Sequence, residues 1–314
     1  MLKNVIIFSG NANRLLAEEI CRHLKIKLGQ ATVSTFKDGE TNVKIGENVR
    51  RKEVYIIQPT CRPVNDHLME LWFMIDACRR ASAEIITVVV PYFGYGRQEK
   101  KTEPHVPISA KVVFDFLVLA GANRIITMDL HAVQCQGFTN IPVDNLFAEP
   151  VLITYIKKTF GKKKLILVSP DVGGVARTRS YAKRLGVGIA IIDKRRPKPN
   201  QAQVMNIVGD VKGKIAILVD DMVDTAGTLV GVTEAIKQAG ALEVHMVCTH
   251  PVLSENAVAE ITKSALSTMA VTNTIPLSTE AAACQKIRIV SVSWLISGAI
   301  RRSHTGESVT SLFY

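Results

Sequence analysis

Short, continuously apolar, β-branched runs separated by helical patterns are the feature that most constrains this chain. They fall at 5–8, 54–57, 85–90, 124–128, 164–168, 188–192, 215–219, 243–248 and 287–292. A strand covered on one face alternates apolar and polar residues. Unbroken apolar runs of this length fit strands covered on both faces, as in a parallel sheet flanked by helices. Between the runs the period changes. Apolar residues at 64, 68, 71, 72, 75 and 78 share one helical stripe, with Asp66 in the first turn. Ser109 suits the N-cap of a helix reaching residue 119, with Gly121 just past its end, and 225–239 reads as another helix closed by Gly240. Alternating strand and helix predicts an α/β protein.

The two halves of the chain repeat one another in outline. Gln58-Pro-Thr before a helix matches Ser169-Pro-Asp before a helix, PYFGYGR at Pro91 matches DKRRPKP at Asp193, and TMDLHAVQCQG at Thr127 matches LVDDMVDTAG at Leu218. The displacement falls from 111 to 102 to 91 residues. The expected organisation is two similar domains, 1–146 and 147–314, joined near IPVDNLFAEP, with the last ten or so residues packing back on the first domain.

Charge is distributed unevenly. The 314 residues hold 39 Lys and Arg against 28 Asp and Glu, a net +11. Between 157 and 198 there are 13 basic residues and only two acids, Asp171 and Asp193, so this stretch alone carries the whole excess. Such a concentration points to an anionic partner or to a solvated basic face. Nucleic acid is disfavoured, because the stretch shows no regular interleaving of aromatics and no known groove-reading pattern. No segment reads as a membrane span, and the opening apolar run is followed by no small-residue cleavage site. The six cysteines, at 21, 61, 78, 135, 248 and 284, show no two-residue spacing and read as buried thiols of a reducing compartment, the cytoplasm being the default.

The most informative segment is 215–228. An apolar strand ends in Asp220 and Asp221, and a short loop with Thr225, Gly227 and Thr228 opens a helix. Backbone N–H groups at a helix start, with hydroxyls beside them, suit a phosphate dianion. Gly227 permits close backbone approach. Carboxylates at the carboxyl end of a strand suit sugar hydroxyls. A second loop, Asp171-Val172-Gly173-Gly174, also joins strand to helix. Other nucleotide sites fail on sequence: after the first strand there is only Gly10-Asn-Ala-Asn, not GxGxxG, and GxxxxGK[ST] is absent.

VDDMVDTAGT resembles the 5-phosphoribosyl 1-diphosphate (PRPP) binding signature shared by type I phosphoribosyltransferases and PRPP synthetases. FSGNAN at Phe8, FKDGE at Phe36, PYFGYGRQ at Pro91, TMDLHA at Thr127, IPVDNL at Ile141, SPDVGG at Ser169, DKRRPKPN at Asp193 and GESVTSLF at Gly306 resemble the class I PRPP synthetases, in order and from end to end. The resemblance implies two type I phosphoribosyltransferase-like domains. It also implies transfer of the β,γ-diphosphoryl group of Mg-ATP to the 1-hydroxyl of ribose 5-phosphate, giving PRPP and AMP for nucleotide biosynthesis.

Residue roles follow from the same resemblance. Asp224, Thr225, Ala226, Gly227 and Thr228 would cradle the 5-phosphate, and Asp220 and Asp221 would take the ribose hydroxyls. Asp171, Val172, Gly173 and Gly174 would hold the diphosphate. Lys194 and Arg196, in a loop just past a strand, would stabilise the transition state as catalytic cations. Arg97, Gln98 and His131 would contact ATP, and Mg²⁺ would be bound by His131, Asp171 and Asp129. Phe36, Asp38 and Glu40 would reach the adenine of an adjacent subunit in a homo-oligomer, usually a hexamer; a hairpin turn at Asp38-Gly39 accounts for the same residues. Phosphate and ADP would regulate through Arg50, Ser82, Gln136, Ser308 and Phe313. Asn140, Glu99 and Thr102 stand where the family more often has acids (Asp in place of Glu99), and the family includes non-catalytic associated subunits.

Overall fold

A computed structural model describes residues 2–161, 163–195 and 204–313. In chain order the elements are β1 (Val5–Ser9), α1 (Arg14–Leu24), β2 (Ala31–Thr35), β3 (Thr41–Ile45), β4 (Glu53–Ile57), α2 (Val64–Arg80), β5 (Ile85–Val90), α3 (Ser109–Ala120), β6 (Arg124–Met128) and β7 (Val143–Leu146). They continue with α4 (Glu149–Phe160), β8 (Leu165–Ser169), α5 (Val175–Leu185), β9 (Gly188–Arg195), β10 (Val204–Val208), β11 (Ile215–Val223), α6 (Gly227–Gln238), β12 (Glu243–Pro251), α7 (Ala257–Lys263), β13 (Thr268–Thr272), α8 (Thr279–Ala283), β14 (Ile287–Val290) and α9 (Ser293–Thr305). Contacts divide them into two units. The first is Met1–Ala148 with Thr274–Pro276 and Val292–Tyr314; the second is Glu149–Asn273 with Leu277–Ser291. Helix α9 therefore counts with the first unit.

In the first unit the strands are parallel and ordered β1-β4-β5-β6-β7. Ile6, Phe8, Val54, Ile56, Val88 and Val90 form one buried face against Leu71, Met74 and Ile75 of α2 and Phe114 and Leu117 of α3. Strands β2 and β3 form a separate antiparallel hairpin. Helix α9 is tied to β4 through His304 Nδ1, 2.6 Å from Glu53 Oε2. The second unit has the order β10-β9-β8-β11-β12-β13-β14, parallel except for β10. Its core joins Val168, Ile192, Leu218, Met246 and Val271 to Leu229, Val232 and Ile236 of α6 and Ile261 of α7.

The expected α/β class is observed, with four adjustments. Strands β2, β3, β7, β10 and β13 carry no long apolar run, because they are short, edge-lying or rich in small and polar residues. Ser109 is the first helical residue, not the cap; its Oγ donates to Gln98 Oε1 at 2.6 Å. Strand β9 runs on to Arg195 because β10 pairs with it, so Lys194 lies within a strand and not past one. Finally, the repeat is aligned differently. β1 and β8 begin at residues 5 and 165, α1 and α5 at 14 and 175, β4 and β11 at 53 and 215, and α2 and α6 at 64 and 227, so the displacement stays between 160 and 163 residues. In both units an antiparallel strand pair, β2–β3 or β9–β10, lies between the first helix and the strand, β4 or β11, that follows it in the chain. The loop at Gln58 therefore corresponds to the loop at Asp220, and the loop at Ser9 to that at Ser169. The drifting displacement read from the motifs came from matching loops on non-equivalent strands.

Among the described residues no helix is long and apolar enough to cross a membrane. All six cysteines are free, and all but Cys284 are buried. Burial raises the thiols of Cys21, Cys61 and Cys135 to about 11 and Cys78 to about 12, and raises Cys248 well above the ordinary value. At Cys284 burial acts the same way but is outweighed by hydrogen bonds from Thr262 and the backbone N–H groups of Lys286 and Ile287, which hold the thiol low. Cys284 should therefore alkylate first at pH 8, with the other five protected until the protein unfolds, as peptide mass mapping of an iodoacetamide time course would reveal. A second test concerns the β9–β10 edge that carries Lys194. Gly209 has φ +123°, and a Cβ there would sit 2.9 Å from Ala190 Cα and Ile189 O. Gly209→Ala should cost about 1–3 kcal/mol in denaturant unfolding.

Candidate active site

Strand β8 pairs in parallel with β11, from Leu165 opposite Ile215 to Val168 opposite Leu218. From β8 the chain moves to one side of the sheet, through β9 to β10, and then returns to continue on the other side from β11. The connections after two adjacent strands thus depart in opposite directions, which opens a crevice at their carboxyl ends. Both loops singled out in the second half of the sequence lie there.

The loop after β8 is locally braced. Ser169 Oγ donates to Asp171 O at 2.7 Å, and Asp171 Oδ1 accepts the Gly174 N–H at 2.9 Å. A Cβ at Gly174 would lie 2.9 Å from Ser169 Oγ, so glycine is needed for the turn itself. Asp171, Val172 and Gly173 are exposed, and α5 follows at once.

The loop after β11 has a different character. Ala226 adopts φ 64°, a left-handed conformation unusual for alanine, and α6 starts at the next residue. A Cβ at Gly227 would meet nothing within 4 Å. The fold itself does not demand glycine there. Thr225, Gly227 and Thr228 are exposed and Asp224 is half-buried beside them. This is the geometry in which helix-start N–H groups and two hydroxyls receive a phosphate.

Asp220 and Asp221 lie past the last β8 pairing, and Asp221 is buried. Asp220 Oδ1 accepts the Asp221 N–H at 2.9 Å. Arg177, in the first turn of α5, places Nη1 3.2 Å from Asp220 Oδ1 and 3.1 Å from Asp221 Oδ1. Burial, and then the neighbouring Asp221, push the Asp220 carboxyl up to about 8 against the pull of Arg177. Sequence reading missed Arg177, although a cation one turn past a strand–loop–helix junction is a readable signal.

The first unit supplies a second set of expected residues. Gln98 is pinned at the start of α3 by Ser109 Oγ, while Arg97 is exposed. His131 is exposed just beyond β6. Asp129 is buried at φ 41°, and its Oδ2 accepts the Ala148 N–H at 3.0 Å. The segment 36–40 is a hairpin turn, with Gly39 at φ +95° and Asp38 Oδ1 accepting the Glu40 N–H, and Phe36 stays 54% exposed at its base. The turn and an exposed ring coexist, so one does not displace the other. Arg50 and Ser82 lie on turns joined by the Arg51 N–H to Ser82 O bond. Gln136 bonds its own 3-10 turn, the Ser308 carbonyl accepts from Ser311 Oγ, and Phe313 packs edge-on against Phe147. Asn140 is exposed at a groove it shares with Lys111, Asp115 and Phe138. Arg196 lies outside the described residues. Among the described residues, no three His, Cys, Asp or Glu side chains converge as a ready-made metal cage.

Residues 5–121 match the N-terminal domain of ribose phosphate pyrophosphokinase, and 195–314 match the phosphoribosyl synthetase-associated domain. Curated relatives named ribose-phosphate pyrophosphokinase include one from Xanthomonas axonopodis pv. citri, 53% identical over 99% of this chain and 98% of its own length. Another, from Burkholderia pseudomallei, is 53% identical over 98% and 97%. A crystal structure of phosphoribosylpyrophosphate synthetase from Mycobacterium smegmatis superposes with a TM-score of 0.92 at 37% identity, covering 97% of this chain and 100% of that one. The chain belongs to the ribose-phosphate pyrophosphokinase family.

Proposed function

We propose that the protein is a ribose-phosphate diphosphokinase. The 1-hydroxyl of ribose 5-phosphate attacks the β-phosphorus of ATP, the bond from that phosphorus to the α-phosphate oxygen breaks, and PRPP and AMP leave. The observation that carries this reading is the pairing, at one strand-order reversal, of an open glycine–threonine helix start with two carboxylates. A phosphate at the first and a sugar diol at the second describe one molecule.

Little covalent work falls to the protein in such a transfer; alignment and charge neutralisation dominate. Asp224 to Thr228 hold the 5-phosphate, while Asp220 and Asp221 accept from the 2- and 3-hydroxyls. Asp171 to Gly174 receive the diphosphate. Lys194 on β9 and Arg196 beyond it neutralise charge on the phosphoryl oxygens as the transfer proceeds. Arg97, Gln98 and His131 contact ATP, with Phe36, Asp38 and Glu40 supplied to the adenine of a neighbouring subunit, so the active form is a homo-oligomer, a hexamer by resemblance. Phosphate and ADP are the proposed regulators, through Arg50, Ser82, Gln136, Ser308 and Phe313, and a reducing cytoplasm is the proposed compartment.

Mg²⁺ fits the residues present. A small hard cation retains several waters and takes other ligands from phosphate oxygens, so it needs no cage of protein ligands. Asp171 and His131 are exposed and suit one such ion each; Asp129, turned to the Ala148 N–H, supports the segment that carries His131. When bound, the metal supplies charge neutralisation on the phosphates.

The direct test mixes the protein with Mg-ATP and ribose 5-phosphate and follows PRPP and AMP. PRPP should form, and excess EDTA should stop it. Absence of PRPP from folded, oligomeric protein would instead place the chain with the non-catalytic associated subunits. Lys194→Ala should lower kcat by two or more orders of magnitude and leave ribose 5-phosphate binding nearly intact in calorimetry. Gly227→Ala should leave the melting temperature within a degree or so, because its Cβ meets open space. It should nevertheless raise KM for ribose 5-phosphate about tenfold or more by obstructing the phosphate.

A further inference from the structure

Consecutive residues on a strand point to opposite faces, yet Asp220 and Asp221 both deliver Oδ1 to the same guanidinium nitrogen. Two features of β11 make this possible. Pairing with β8 stops at Leu218, and on the other side Asp220 pairs with Cys248 and Met222 with His250, so the two acids sit where one edge of the strand is released. Asp220 also bends back onto the Asp221 N–H. Arg177 spans the opening from the other loop: α5 begins just after Gly174, and Arg177 is its third residue. Its side chain is about a quarter exposed, as is that of Asp220, so the bridge is screened but borders the crevice.

We infer that Arg177 is a positioning residue for the ribose diol, holding Asp220 and Asp221 as a paired acceptor and tying that pair to the helix that starts at the diphosphate loop. The inference rests on the ribose 5-phosphate reading above. Its physical basis is repulsion. Adjacent carboxylates in a half-buried site cannot both stay ionised without a cation, and a carboxyl that keeps its proton accepts poorly from a sugar hydroxyl. A lysine in this position would neutralise charge, but its ammonium sits at the end of a flexible stem and would hold the two oxygens less firmly than a planar guanidinium does. The groups that act electrostatically on one another here are Asp220, Asp221, Arg177 of α5 and Cys248 of β12; the same elements also carry Arg179, Tyr181, Lys183 and Arg184 on α5 and Glu243, His245 and His250 on β12, with Asp224 in the following loop and Asp171 in the loop after β8. Cys248 stays a neutral thiol, since burial and both carboxylates raise it. Arg177 is the cation bonded to both carboxylates.

The test compares wild type, R177K and R177Q by calorimetry with ribose 5-phosphate and with 2-deoxyribose 5-phosphate, and by initial rates at saturating Mg-ATP, between pH 6.5 and 9. In R177Q, affinity for ribose 5-phosphate should fall about tenfold or more at pH 7.5. The loss should shrink as pH rises toward 9 without vanishing, because removing the cation moves an ionisation that is already raised beside Arg177 higher still, and KM for ATP should stay unchanged. R177K should recover the pH profile but only part of the affinity. Removing the 2-hydroxyl should cost R177Q less than it costs wild type, because the acceptor is already impaired. A merely structural arginine would weaken both sugars by one common factor at every pH, and that result overturns the inference. Should R177Q fail to fold by circular dichroism, R177K decides: an unaltered affinity and profile also overturns it. Wild type that binds no ribose 5-phosphate removes the substrate reading and this inference together. Wild type that binds it, beside variants that bind equally well, removes this inference alone.

Discussion

The parallel contact between β8 and β11 is the constraint on which the rest of the second unit depends. A right-handed crossover places each helix on one side of the strand it follows, so a chain that builds outward from β8 in both directions must part its loops there. Everything chemical follows from that parting. The loop after β8 can be tight and braced, with Gly174 forced by Ser169, while the loop after β11 can be open, with Gly227 facing empty space. The Arg177 side chain crosses from one to the other. The sheet itself is a conventional apolar layer; its strand order makes it a site.

The first unit shares the strand order from β1 and β4 onward, but β1 is the edge of its sheet and its hairpin stands apart, and the place equivalent to the crevice is closed. Glu70 of α2, buried, accepts from Asn11 N at 3.1 Å, from Asn11 Nδ2 at 2.7 Å and from Gln58 Nε2 at 2.5 Å, and Gln58 Oε1 accepts the Ala12 N–H. The loops after β1 and β4 are thus stitched together by a carboxylate that receives three N–H donors. A Cβ at Gly10 would come within 2.4 Å of Gln58 Oε1, so the stitching fixes the glycine as well. One scaffold carries an open crevice in one copy and a filled one in the other, which is why fold similarity between the halves says little about shared chemistry.

Much of this was legible in the residues. The glycine–threonine loop, the paired carboxylates and the glycines before the helices are local signals, and they follow two adjacent parallel strands. The basic stretch was legible only in part. Arg177 finds Asp220 and Asp221, and Arg184 lies 3.2 Å from Glu149, so part of the excess is internal neutralisation across α5. The counting of charges along the chain could not separate those cations from ones facing a ligand. The repeat was legible in kind but not in register, since short motifs such as Gln58-Pro-Thr and Ser169-Pro-Asp look alike on non-equivalent strands.

The sequence by itself determined the α/β class, the strands buried on both faces and the chemistry of the two loops, because periodicity, turn residues and acid–glycine–hydroxyl spacing act over a few neighbouring positions. Only the tertiary structure decided which strands lie side by side, that α9 packs with the first unit, that β9 extends through Lys194 and that Arg177 meets two carboxylates more than forty residues away. Those outcomes depend on long-range pairing and strand order. They arise when apolar faces of distant segments bury one another, and no local pattern specifies the partner.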